Sequence, residues 1–280
     1  MSLFEQNISL GISPCPNDTF IFHALLHGLI DGNRFRFSLR MEDVDTLNRM
    51  GMDAALDLTK ISFHMFGYLR NEYVLLNSGA ALGRGCGPLL IAYPGLSLEK
   101  IKDKTIAVPG RFTTANLLLQ LMTGGHDNIR EMRFDRIVEA VAKREIAAGL
   151  IIHETRFTYQ LRRLVALVDL GVWWEDRTSR PIPLGGIIAR RSLGEATIRS
   201  LDEMIKRSVI HARRDPEASR DFVRGHAQEL SDEVIRKHID LYVNDFSVDL
   251  GGEGRKALKT LFDQAEQSGI IPESNRTLMI

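Results

Sequence analysis

The sequence predicts an α/β protein built of two units, the second inserted in the first. Three observations predict it. Strand-like and helix-like segments alternate from Ile8 to Leu58 and again from Ile106 to Ile152, short apolar strands stop at polar residues, and the chain from Ala196 onward reads as nearly all helix. Such alternation builds a largely parallel sheet with helices on its faces, and it places ligands at the carboxyl ends of strands.

In order along the chain, Ile8–Ile12 is an apolar run that reads as a buried strand. Ser13–Thr19 follows as a loop in which Asn17 and Asp18 can cap a helix over Phe20–Gly28. Phe35–Met41 alternates apolar and polar residues with the period of a strand, Val44–Met50 has helical spacing, and Ala54–Leu58 is a second short apolar strand. A second cycle starts at Leu98–Thr105, which leads into a strand over Ile106–Pro109, the turn Gly110–Thr114 and a helix over Ala115–Met122. Met132–Phe134 is expected as a strand, Arg136–Ala148 as an amphipathic helix ended by Gly149, and Gly149–Ile152 as a buried strand that stops at His153, Glu154 and Thr155. Leu164–Leu170 and Leu184–Ala189 carry the chain back. The expected units are residues 1–90 with 188–280, and residues 91–187; the Gly-rich turns Gly83–Pro88 and Gly185–Gly186 are the candidate hinges of a cleft that closes.

Composition narrows the function. With 280 residues, 44% apolar and 26% charged, the chain has ordinary globular usage, which excludes low-complexity and disordered behaviour. Thirty-six basic side chains balance thirty-six acidic ones. No global field then draws the protein to nucleic acid or anionic lipid, and a small molecule is the default partner. The longest apolar stretches, such as Pro88–Tyr93, fall far short of the roughly 18 residues of a spanning helix, so no membrane insertion is expected. The first ten residues carry Glu5 where an export leader needs basic residues and lack an unbroken apolar run, which predicts a cytoplasmic protein. Cys15 and Cys86 could form at most one disulfide, too little to staple a chain this long, and suit a reducing compartment.

Candidate functional residues sit at the strand ends. His153 closes a buried strand, and a neutral imidazole with an ordinary pKa near 6.5 is a usable base; the competing reading is a hydrogen-bonded core histidine. Thr113 and Thr114 lie between a strand and a helix, where free amides and the helix dipole attract an anion such as a substrate carboxylate, although a plain helix cap would also explain them. Lys60 could pair with that carboxylate, but lysines after strands are usually solvated, so Ser62 ranks above it. Asn17, Asp18 and Thr19 are supporting candidates, with capping the leading explanation. No histidine lies at an informative spacing from Cys15 or Cys86, so neither is read as a nucleophile. His23 and His27 lack a third ligand, so no metal is expected, and Gly83-Arg-Gly-Cys-Gly lacks the spacing of a dinucleotide loop. Trp173 and Trp174, near Arg177 and Arg180, read as packing between units.

Five motifs in order, Ser13-Pro-Cys-Pro-Asn-Asp-Thr-Phe20, Leu58-Thr-Lys-Ile-Ser62, Gly83-Arg-Gly-Cys-Gly-Pro88, Pro109-Gly-Arg-Phe-Thr-Thr-Ala115 and Ile152-His-Glu154, make the chain resemble the 1,4-dihydroxy-6-naphthoate synthase family over essentially its whole length. The resemblance implies a fold like the type II periplasmic binding proteins, with two α/β domains, one inserted in the other, and substrate in the cleft between them. It implies a carbon–carbon lyase that fragments cyclic dehypoxanthine futalosine to 1,4-dihydroxy-6-naphthoate on the route to menaquinone, without a cofactor. It further implies His153 as the proton acceptor and substrate contacts at Lys60, Ile61, Ser62, Thr113 and Thr114. Two alternatives stand beside it: a non-catalytic solute receptor of the same architecture, and the sister chorismate-dehydrating enzyme of the pathway. The oligomeric state is left open.

Overall fold

A computed structural model describes residues 6–30, 35–227 and 231–280. The first five residues, on which the leader reading partly rests, and 228–230, within the expected helical tail, lie outside the described residues. Eleven strands are described: β1 (Gln6–Ile12), β2 (Phe35–Met41), β3 (Leu58–Ser62), β4 (Tyr73–Leu75), β5 (Ala81–Gly83), β6 (Leu89–Ala92), β7 (Ile106–Val108), β8 (Ile129–Glu131), β9 (Ala148–Ile151), β10 (Val165–Asp169) and β11 (Ile182–Arg190). They form two sheets. The first has the order β2-β1-β3-β11-β4, with β5 also on β11, and the second has β10-β6-β9-β7-β8.

Each sheet is parallel where β-α-β units build it and antiparallel where the chain crosses. β1 pairs in parallel with β2 and β3, and β7 with β8 and β9. The return strand β11 runs antiparallel to β3, β4 and β5, and β6 antiparallel to β9 and β10. The carboxyl ends of β1 and β3 thereby face those of β7 and β9. That geometry positions the site.

Several expected elements shift, each for a physical reason. The first helix spans Pro16–Leu26, so Asn17, Asp18 and Thr19 lie inside its first turn, and the cap position is Cys15, which makes no side-chain cap. Pro16 at the first helical position is pre-set for this start. The strand expected at Ala54–Leu58 runs instead over β3, because Ala54 takes a left-handed turn conformation with φ 47°. Met132–Phe134 leads into the helix Phe134–Ala142, and the strand is the preceding β8. That helix ends at Ala142, seven residues before Gly149, where Lys143 caps it and Arg144 turns left-handed. Gly149 lies within β9; a Cβ there would sit 2.4 Å from Ile137 Cγ2, so its role is helix-on-sheet packing rather than helix termination.

Gly185 and Gly186 lie in mid-strand, paired with Ser62 and Ile61, so the chain does not cross there. The crossings are 84–88 and 170–181, and the expected boundary at 187 and 188 falls inside β11. At the crossings Gly87 backs onto Gly171, where a Cβ would meet backbone nitrogen at 2.2 Å. Trp174, wholly buried in the core that runs between the sheets, donates from Nε1 to the Pro181 carbonyl at 3.1 Å. The helix Gly251–Gln267 closes the same core, with Phe262 edge-on to Phe63 and Phe66. No helix among the described residues is long and apolar enough to cross a membrane.

Candidate active site

Between the facing strand ends lies a cavity of about 90 Å³. Seven of the nine residues singled out from sequence line it: Asn17, Lys60, Ile61, Ser62, Thr113, Thr114 and His153. Asp18 and Thr19 do not. Thr19 turns its hydroxyl onto the carbonyls of Cys15 and Pro16, inside its own helix. Asp18 lies directly beneath the floor.

Asp18 and Lys60 form a buried ion pair, Nζ to Oδ1 at 2.9 Å, with exposures of 0% and 7%. The same carboxylate accepts from Ser13 N at 3.1 Å, Ser13 Oγ at 2.8 Å and Asn17 Nδ2 at 2.9 Å. The expectation of a solvated lysine is therefore overturned. β3 is central in its sheet and covered at its end, and an ammonium taken from water must be paired.

His153 follows β9 with φ 58°, opening a turn of 3₁₀ helix. Its Nδ1 lies 3.5 Å from Cys15 Sγ, and its ring stands edge-on to Phe134 and stacks offset on His238. Burial pushes its pKa down to about 4, against the opposing pull of the Asp18 carboxylate, so the imidazole is neutral near pH 7. Burial, reinforced by Glu154, holds the Cys15 thiol well above its ordinary range. The pair is thus thiol and imidazole rather than thiolate and imidazolium. The absence of a histidine near Cys15 in sequence did not carry over to space, because the two residues are 138 positions apart.

The two threonines present their backbones. Thr113 caps the helix Thr114–Thr123, accepting from Asn116 N at 3.4 Å and donating to the Gly110 carbonyl at 2.8 Å. The Thr114 hydroxyl donates to the Leu184 carbonyl and accepts from His64 N. What remains for an anion is the pair of amides of Thr114 and Ala115, which have no carbonyl one turn earlier in the helix, at the positive end of its dipole. Opposite them, Ser62 Oγ accepts from Asn48 Nδ2 at 3.1 Å and keeps its proton for a ligand.

Contacts across the cavity hold the two sheets together. Asn48 Nδ2 reaches the Phe112 carbonyl at 3.4 Å, Arg49 pairs with Glu131 at 3.1 Å, and His64 Nδ1 donates to the Thr113 carbonyl at 3.2 Å. Ser13, Cys86, Leu184 and Tyr242 also line the cavity and were not read as site residues. Ser13 and Cys86 lie within the quoted motifs; Tyr242 comes from the helix Asp232–Tyr242 and carried no sequence signal. Among the described residues, Cys15, His153 and Glu154 offer a sulfur, a nitrogen and an oxygen within 4.8 Å of one another, the makings of a metal site that the pairing of His23 with His27 had not suggested.

A family model described as menaquinone biosynthesis matches residues 8–267. The chain belongs to this family. It is 51% identical, over 98% of its length and 100% of the relative's, to a Thermus thermophilus protein named "1,4-dihydroxy-6-naphtoate synthase". Among solved structures, a protein from Archaeoglobus fulgidus is 35% identical and superposes with a TM-score of 0.89 over 95% of this chain and 98% of that one. A Candida albicans gene product described as exhibiting the generic periplasmic binding protein structural fold reaches 0.71 at 10% identity, over 96% of this chain and 92% of the other. This menaquinone-biosynthesis family member accordingly has the periplasmic-binding-protein type of fold that the motifs implied.

Proposed function

We propose that the chain is a carbon–carbon lyase that converts cyclic dehypoxanthine futalosine to 1,4-dihydroxy-6-naphthoate, with His153 as proton acceptor. The observation that carries this reading is the neutral imidazole of His153 on a cavity wall facing a helix N-terminus, in a chain 51% identical to a relative named for synthesis of that product. The substrate carboxylate is placed on the amides of Thr114 and Ala115, and the Ser62 hydroxyl donates from the other side. We assign the ring proton to Nδ1, donated to Cys15 Sγ, which leaves Nε2 a lone pair for the substrate. It takes a proton from carbon as the carbon–carbon bond breaks and the freed electron pair enters the forming ring. Proton removal of this kind contributes about 10² to 10⁴ in rate, provided the breaking bonds are held in line.

We infer further that residues up to 83 with 182 onward, and residues 89–169, move as two lobes about the crossings, and that ligand closes them. Two cysteines in 280 residues are too few to staple the chain, which supports a reducing, cytoplasmic setting. Purified protein should turn over the cyclic futalosine compound, and His153→Ala should bind it with little change while losing about 10² to 10⁴ in kcat. Normal turnover by this variant ends the base assignment. Turnover of chorismate instead would move the protein to the sister step of the pathway. Recovery of a tightly bound small molecule unchanged, with neither substrate consumed, would make it a receptor.

A further inference from the structure

We propose that Cys15, His153 and Glu154 form a binding site for a soft divalent cation such as Zn²⁺, complete only when the two lobes meet, and that filling it stops the enzyme. The binding half of the proposal stands on geometry alone; the inhibitory half rests on the reading of His153 as the base.

The geometry is close to what such an ion needs. Cys15 Sγ and His153 Nδ1 are 3.5 Å apart, which is about the edge of a tetrahedron built with Zn–S near 2.3 Å and Zn–N near 2.0–2.1 Å. All three donor atoms lie within 4.8 Å of one another, so a point exists within about 2.8 Å of each. A side-chain adjustment of well under an ångström brings three ligands into range. Three protein ligands leave a fourth position for water. Charge agrees as well: a thiolate and a carboxylate together neutralise a divalent ion, which a buried site requires. On binding, the thiol proton passes to solvent as the metal–sulfur bond forms. The neighbouring Lys60 ammonium is matched by Asp18 and leaves no net charge against the ion.

Cys15 follows β1 of the first sheet, whereas His153 and Glu154 follow β9 of the second. Metal bonds would therefore run from lobe to lobe, and the bound ion would hold the cleft shut. A neutral imidazole bound through Nδ1 must carry its proton on Nε2, so the lone pair assigned to the substrate disappears. Either effect blocks turnover.

The test uses the full chain, stripped with chelator and titrated with Co²⁺ alone, then with Zn²⁺. One equivalent of Co²⁺ should produce a thiolate-to-cobalt charge-transfer band, which Zn²⁺ removes by displacement. Cys15→Ser should abolish the band, and Glu154→Gln, checked for folding by thermal melting, should weaken Co²⁺ binding by about tenfold or more. Zn²⁺ should suppress turnover, with recovery on adding chelator. No band, or a band that survives in Cys15→Ser, overturns the site; full activity with Zn²⁺ bound overturns the inhibition. A band that behaves as expected in a protein that turns over no substrate upholds the site while removing the lyase reading.

Discussion

The two walls of the cavity are built on opposite terms. On the first-sheet side the formal charges of Lys60 and Asp18 are consumed by each other and by Ser13 and Asn17, leaving little net field. On the second-sheet side there is no formal charge at all at Thr113–Ala115, yet two amides at a helix N-terminus stand without helical partners. The comparison teaches that a lysine at the site need not be what grips an anion. Substitutions on one wall should therefore register as stability, and on the other as binding.

The largest effect that would break this contrast is at Asp18. Asp18→Asn leaves the Lys60 ammonium buried without a charge partner, and unfolding in urea should show a loss of about 3–5 kcal/mol; replacing both residues by apolar ones of similar size should restore most of it. If the single variant is as stable as the parent but binds substrate poorly, the charges serve the ligand after all.

His64 sits between the walls, 4% exposed, with burial holding its pKa down to about 4. A pKa depressed in the folded state means that the unfolded chain binds more protons between about pH 4 and 6.5. Stability from this residue is therefore complete above 6.5 and lost as pH falls through that window, by roughly 3 kcal/mol. Urea midpoints for the protein and for His64→Gln, taken at neutral and mildly acidic pH, should converge toward the acid end.

Ala115→Pro sharpens the comparison on the other wall. Proline is tolerated in a first helical turn and removes one N–H, so substrate should bind more weakly by about 1.5–3 kcal/mol, read by calorimetry. The smallest effect is expected for Thr113→Ala: about 1 kcal/mol of stability from the lost cap, with affinity changed little. A large affinity loss there would return the grip to the hydroxyl.

Legibility in the sequence varied with burial. β2 was read with both ends correct because an exposed edge strand alternates, whereas β3, buried at all five positions, has no alternation to mark its register and was placed four residues early. Gly149 looks like a helix stop in one dimension; only the approach of Ile137 shows why the side chain is missing. Seven of the nine chosen site residues reach the cavity because strand ends are visible in sequence and α/β folds gather them.

By itself the sequence determined the order of elements, the strand-end polar motifs and, through those motifs, the family, since propensity and pattern act over a few residues. Tertiary structure alone decided that Cys15 meets His153, that Lys60 is paired with Asp18 and that the Thr114 hydroxyl is already engaged by Leu184. Those outcomes depend on which groups packing brings within reach of one another, and burial then keeps Cys15 and His153 as thiol and neutral imidazole.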